Sequence, residues 1–94
     1  MILIDKFVIV RTYSAGVHFG TLASQSGKEV TLNDAGRIWS WRNANTLHEI
    51  ANSGVGKGSR VSELVPAVSL TEAIEVIGAS DAAKANLTSV GWSK

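Results

Sequence analysis

Two short stretches of the sequence concentrate side chains that could bind an anionic or aromatic ligand. The first runs over residues 11–20, directly after a hydrophobic segment, and the second runs over residues 37–41 and contains Trp39 and Trp41. Because residues two apart on a strand point to the same side, both indoles and Arg37 are expected to share one face. Such a face can stack on a nucleobase while its cation binds phosphate. The alternative is that one or both indoles fill the core or a protomer interface.

The first stretch ends a predicted strand, and Gly16 lets a backbone approach it closely. Arginine, tyrosine, serine and histidine side chains at such a place offer several donors to an anionic ligand. The alternative is an arginine paired with an acid and a tyrosine bonded to the backbone, and the sequence favours neither. The candidate ligand-binding residues of the chain are Arg11, Tyr13, Ser14, His18, Arg37, Trp39, Trp41, Lys57 and Arg60.

The sequence does not contain the residue spacing of any catalytic or metal-binding motif that we tested. Ser14, His18 and Asp34 are the residue types of a hydrolytic triad, but no nucleophile elbow accompanies them. The two histidines and the scattered acids do not have metal-ligand spacing. Residues 54–59 resemble a phosphate-binding loop, yet they lack the first glycine and the hydroxyl after Lys57. We therefore expect no enzyme activity, no metal and no cofactor, and the loop either is a solvated connector or brings Lys57 and Arg60 to an anion.

Length and composition restrict the class of protein. The 94 residues provide one hydrophobic core, so a single domain over residues 1–94 is expected. The net charge of +1 argues against a protein that coats duplex DNA, because such proteins need many phosphate contacts. The absence of cysteine and of a signal-like or membrane-spanning segment predicts a cytosolic protein. Small domains often cover apolar surface by self-association, so we expect a homo-oligomer.

The pattern of apolar residues predicts an α+β fold, with a small antiparallel β-sheet or partly open barrel of about five to six strands and two short helices. A meander of four strands is predicted at residues 7–10, 17–22, 29–32 and 37–41, with turns at 25–28 and 33–36. A short edge strand is predicted at 60–66, ended by Pro66. Residues 72–77 have helical spacing as well as β-branched content, and the stop at Gly78 favours a strand.

Capping residues predict where the helices begin. Thr46 and Glu49 have the spacing of a capping box, and Gly54 supplies the stop, which predicts a helix at 46–53. Ser80 can cap a second helix at 81–88, and three apolar side chains would dock that helix on the sheet: Ala83, Leu87 and Val90.

Three segments resemble a family of small bacteriophage proteins of unknown function: VRTYSAGVHFG at 10–20, RIWSW at 37–41 and LTEAIE at 70–75. The resemblance covers about residues 8–87. It implies a phage origin and expression in the host cytoplasm, and it carries no activity or functional residue to transfer. The hypothesis that follows is a non-catalytic anti-defence protein that sequesters a nucleotide-derived immune signal. The alternatives are an inhibitor that binds a host protein, and a minor virion or assembly protein.

Overall fold

The computed structural model describes residues 3–41 and 44–89, which form six antiparallel strands and two helices. The predicted α+β class is confirmed. The elements in chain order are β1 Phe7–Thr12, β2 Val17–Ser26, β3 Glu29–Ser40, α1 Leu47–Ser53, β4 Arg60–Val61, β5 Val65–Leu70, β6 Ala73–Gly78 and α2 Asp81–Ser89.

The strands form one open sheet that curls strongly. Its order is β4-β3-β2-β1-β6, and β5 also pairs with β3. Only residues 71–72 separate β5 from β6, although these strands pair with β3 and β1 on opposite sides of β2. The sheet must therefore curl until its two ends meet at this bend. Two backbone hydrogen bonds hold the bend: the Ala73 N–H donates to the Lys28 carbonyl at 3.0 Å, and the Tyr13 N–H donates to the Glu72 carbonyl at 3.0 Å.

Both faces of the curled sheet are apolar, which explains the uninterrupted hydrophobic run of β1. Val8 and Val10 point to the inner face, and Ile9 between them points to the outer face, where the helices pack. The inner cluster comprises Val8, Val10, Leu22, Val30, Leu32, Ala35 and Leu70. The outer cluster comprises Ile9, Val17, Phe19, Ile38, Ile50, Ala51, Val55, Val61 and Leu87.

The helix ends confirm the capping predictions. The Thr46 hydroxyl accepts from the Glu49 N–H at 3.2 Å, and Gly54, with φ of 82°, donates its N–H to the Ile50 carbonyl. The Ser80 hydroxyl accepts from the Ala83 N–H at 3.0 Å at the start of α2. Ala83 and Leu87 are buried as predicted, whereas Val90 lies outside the described residues.

The predicted turn at residues 33–36 is wrong. β3 continues through it for 12 residues, and the register of the β2–β3 pairing shifts between Phe19 and Thr21. Asp34 has φ of 49° within the strand. Residues that favour turns also tolerate the backbone of a β-bulge, so here the local conformation bends the strand without reversing the chain. The turn at residues 27–28 does form, with Gly27 at φ of 59°.

The predicted strand at 60–66 is also wrong in its extent. β4 contains only Arg60 and Val61. Pro66 lies inside β5 and does not end that strand. β5 pairs only with β3 in the described part of the chain, and proline is tolerated on such edge strands. The interpretation of residues 72–77 as a strand is confirmed by β6.

Across the described residues, no helix is both long enough and apolar enough to cross a membrane.

Candidate ligand-binding site

A cleft of about 420 Å³ lies where the outer face of the sheet meets the start of α1. This volume falls within the range of pockets that hold small molecules, roughly 300–1,000 Å³. The cleft is lined by Arg11, Val17, Trp41, Asn45, Thr46, Leu47, His48 and Glu75. Two of the nine predicted ligand-binding residues, Arg11 and Trp41, are therefore brought together here. We refer to this site as the Arg11 cleft.

Strand pairing positions the polar wall of the Arg11 cleft. Arg11 shares the outer face of β1 with Ile9, since side chains alternate along a strand. The antiparallel register places Glu75 of β6 opposite Arg11 on one side and Val17 of β2 opposite it on the other. Three adjacent strands thus place a cation, an acid and an apolar side chain in one row.

The Arg11 guanidinium forms an ion pair with the Glu75 carboxylate, and the Arg11 Nε to Glu75 Oε1 distance is 3.3 Å. The two side chains are 51% and 38% exposed, so solvent screens the pair and its contribution to stability is small. A guanidinium carries five N–H donors, and this contact leaves some of them for a ligand. The pairing of Arg11 with an acid was one of the two alternatives that the sequence left open, and it is present together with the cleft.

The two tryptophans do not form the predicted common face. β3 ends at Ser40, so strand alternation no longer governs Trp41, which lines the Arg11 cleft. Trp39 lies outside that lining, is 49% exposed, and has the Arg60 guanidinium 5.2 Å from its ring centroid. The expected stacking platform of two indoles is therefore divided into one indole in the cleft and one indole beside an arginine.

His18 and Arg37 pair across β2 and β3 and border a second depression of about 180 Å³. Burial lowers the pKa of His18 below its ordinary value of 6.5, and the positive charge of Arg37 lowers it further. The hydrogen bond from His18 Nε2 to the Ala15 carbonyl, at 3.0 Å, opposes these two effects. His18 is thus a neutral donor to the backbone at neutral pH, and it does not supply a cation.

The remaining predicted residues lie apart from the Arg11 cleft. Tyr13 is 79% exposed and borders a third depression together with Lys28 and Ile74. The Ser14 hydroxyl donates to the Glu72 carboxylate at 3.0 Å, and His18 bonds the Ala15 carbonyl, so these two side chains have partners other than Asp34. Lys57 is exposed in the turn before β4. Among the residues that the structure describes, no group of three histidine or acidic side chains could hold a metal ion.

Six of the described lining residues were absent from the predicted site: Val17, Asn45, Thr46, Leu47, His48 and Glu75. The capping box already placed Thr46 and Leu47 at the start of a helix, but no local pattern indicates where that helix docks. Glu75 lies 64 positions from Arg11 in the chain, so their contact depends on the pairing of β1 with β6. The one local signal that could have indicated a functional role for Glu75 is that it is an acid at the centre of an otherwise apolar strand.

The model of a domain of unknown function, DUF6948, matches residues 5–87 of the chain. The chain belongs to this family. No curated protein and no solved structure matches it. The described residues that line the Arg11 cleft all fall within the DUF6948 domain.

Proposed function

We propose that this DUF6948 protein is a non-catalytic phage anti-defence protein that binds and sequesters a nucleotide-derived immune signalling molecule of the bacterial host. The observation that supports the proposal is that Arg11 and Trp41 line one cleft of about 420 Å³. A guanidinium and an indole in one small-molecule-sized site can bind the phosphate and the base of the same ligand.

The chemistry of the lining gives the two parts of such a ligand different places. Val17 and Leu47 provide an apolar surface near the Trp41 indole, which suits a planar base. Arg11 is half exposed, and a phosphate bound to it keeps much of its hydration. Asn45 and His48 add polar groups that can fix the orientation of the base or sugar.

The biological part of the proposal rests on the resemblance to phage proteins and on the size of the chain. A protein that sequesters a signal needs binding without turnover, and it acts in the host cytoplasm where the signal is made. Self-association of a 94-residue chain into a homo-oligomer would increase the number of sites per particle.

Thermal unfolding with a panel of cyclic and linear nucleotides tests the proposal. A ligand at one hundred times its Kd stabilises the folded protein by about 2.7 kcal/mol, which raises the Tm by roughly 10 °C or more for a domain of this size. Arg11→Ala should abolish this response while its own Tm stays within a few degrees of the parent, because the Arg11–Glu75 pair is solvent-screened.

Lys57→Ala is the matched control, since it removes an exposed cation outside the Arg11 cleft and should leave the response intact. A Tm that no nucleotide moves would contradict the proposal. Unfolding of the Arg11→Ala variant would show that the arginine is structural.

One observation favours a second candidate function, an inhibitor that binds a host protein. Trp39 is 49% exposed beside the Arg60 guanidinium, and tryptophan and arginine are the residue types most enriched in binding hot spots. This function predicts that a host lysate yields one stoichiometric partner, lost on Trp39→Ala and retained on Trp41→Ala. The opposite pattern, or no partner, would remove this candidate.

A further inference from the structure

In the described lining of the Arg11 cleft, an acid contacts the arginine. Glu75 lies 3.3 Å from Arg11, and the other lining residues are Val17, Trp41, Asn45, Thr46, Leu47 and His48. Among the described lining residues, Arg11 and Glu75 are the arginine and the acid, and they form an ion pair with each other. A cation that is already paired with an acid attracts a multiply charged anion less strongly than an unpaired cation does.

We infer that the Arg11 cleft selects nucleotides whose phosphate is a singly charged diester, such as a cyclic nucleotide, over phosphomonoesters, and that Glu75 determines this specificity. The inference rests on the proposed function and names the class of ligand for the same site.

Phosphodiesters and phosphomonoesters differ in how their negative charges interact with Arg11 and Glu75. A phosphodiester carries one negative charge, which the free donors of Arg11 can meet. A phosphomonoester carries nearly two at pH 8, because its second pKa is about 6. The second charge approaches a guanidinium already paired with Glu75, is repelled by that carboxylate, and loses hydration without gaining a partner.

The position of Glu75 is set by the sheet, which makes it a fixed part of the site. The register of β1 and β6 places Glu75 directly opposite Arg11, and the adjacent Val76 lies opposite Val10. The backbone of Glu75 therefore cannot leave the cleft without breaking strand pairing, and its side chain can share Arg11 with a ligand. Glu72, by contrast, lies at the β5–β6 bend and bonds Ser14, outside the cleft.

Isothermal titration calorimetry at pH 8 with four ligands of the same base tests the inference. The ligands, in an adenosine and a guanosine series, are the nucleoside, its 5′-monophosphate, its 3′,5′-cyclic monophosphate and its 5′-methylphosphate. The methylphosphate is an acyclic diester, so it separates the effect of charge from that of ring shape. We expect both diesters to bind about tenfold tighter than the 5′-monophosphate in the best-binding series.

Glu75→Gln should tighten binding of the 5′-monophosphate and reduce its disadvantage to within about threefold. Glu72→Gln removes a charge of the same sign outside the cleft and should leave the order of the ligands unchanged. The parent protein alone gives a decisive ligand order even if a variant is destabilised.

A 5′-monophosphate that binds the parent as tightly as the diesters would overturn the inference while leaving the proposed function in place. An unchanged ratio in a folded Glu75→Gln variant would do the same. A cyclic nucleotide that binds well beside a methylphosphate that does not would assign the preference to ring shape and reject the role of Glu75. If none of the ligands in either series binds, and no nucleotide of the thermal panel binds, both proposals are rejected together.

Discussion

Replacement of Trp41 by alanine should weaken ligand binding, because Trp41 is the aromatic side chain that lines the Arg11 cleft. Alanine substitution of an aromatic that stacks on a base costs about 1–3 kcal/mol, which corresponds to a loss of about 5-fold to 150-fold in affinity. Trp41 is 36% exposed, so neighbouring residues already cover part of the indole. We expect a loss near the middle of that interval, about tenfold to thirtyfold.

Trp39→Ala is the matched control, because it removes an indole two positions away in the chain and outside the cleft. It should leave the Kd unchanged. It removes the contact with Arg60, which is worth about 0.5–1 kcal/mol at an exposed site, so the Tm should fall by a few degrees.

Titration calorimetry with the most stabilising nucleotide measures both effects, and circular dichroism establishes that each variant is folded. Equal losses of affinity in Trp39→Ala and Trp41→Ala would refute the division of the tryptophans between two surfaces. An unchanged Kd in Trp41→Ala would place the ligand elsewhere on the protein.

Three further predictions concern stability. Asn86→Ala should lower the free energy of unfolding in urea by about 2–3 kcal/mol. The Asn86 amide accepts from the buried Val55 N–H at 2.8 Å and donates to the Val55 carbonyl at 3.0 Å. A loss below about 0.5 kcal/mol would contradict the role of these bonds. Gly36→Ala should lower the free energy of unfolding by about 1–3 kcal/mol, because the added Cβ would lie 2.5 Å from Phe19 Cζ in the core. Unchanged stability would show that the Phe19 side chain can move aside without cost. The lowered pKa of His18 means that the unfolded chain binds more protons in acid, so the free energy of unfolding should fall as pH drops from 6.5 towards the folded pKa and then level off. His18→Gln should remove that part of the slope, and an identical slope in both proteins would reject the buried, neutral imidazole.

Local signals predicted the helices and the β2–β3 hairpin well. The capping residues Thr46 and Ser80 and the stop at Gly54 act within one helical turn, so the sequence alone specifies these ends. Gly27 likewise allows the two-residue turn between β2 and β3 without help from distant residues.

The middle of the sheet could not be predicted in the same way. Asn33 and Asp34 favour turns locally, but pairing with β2 on one side and β5 on the other keeps the chain extended and converts the signal into a bulge. β5 was missed for a related reason. It pairs with β3, which precedes it by tens of residues, and Pro66 suggested an end where an edge strand in fact continues.

The candidate site was predicted in part. The residue types at Arg11 and Trp41 suggested a ligand, and both line one cleft, but the same argument also selected Trp39 and His18, which lie elsewhere. Residue type indicates what a side chain can bind, whereas the curl of the sheet and the docking of α1 determine which side chains meet. Glu75 shows this most clearly, because nothing near it in the chain indicates a contact with Arg11.

The most direct test of a nucleotide site in the Arg11 cleft is an NMR titration that follows the indole N–H signals of the ¹⁵N-labelled protein. The chain has three tryptophans, and single substitutions assign their signals. A stabilising nucleotide should shift the Trp41 signal in a saturable way and leave the Trp39 signal in place. A titration that shifts the Trp39 signal while the Trp41 signal stays fixed would contradict a nucleotide site in the Arg11 cleft.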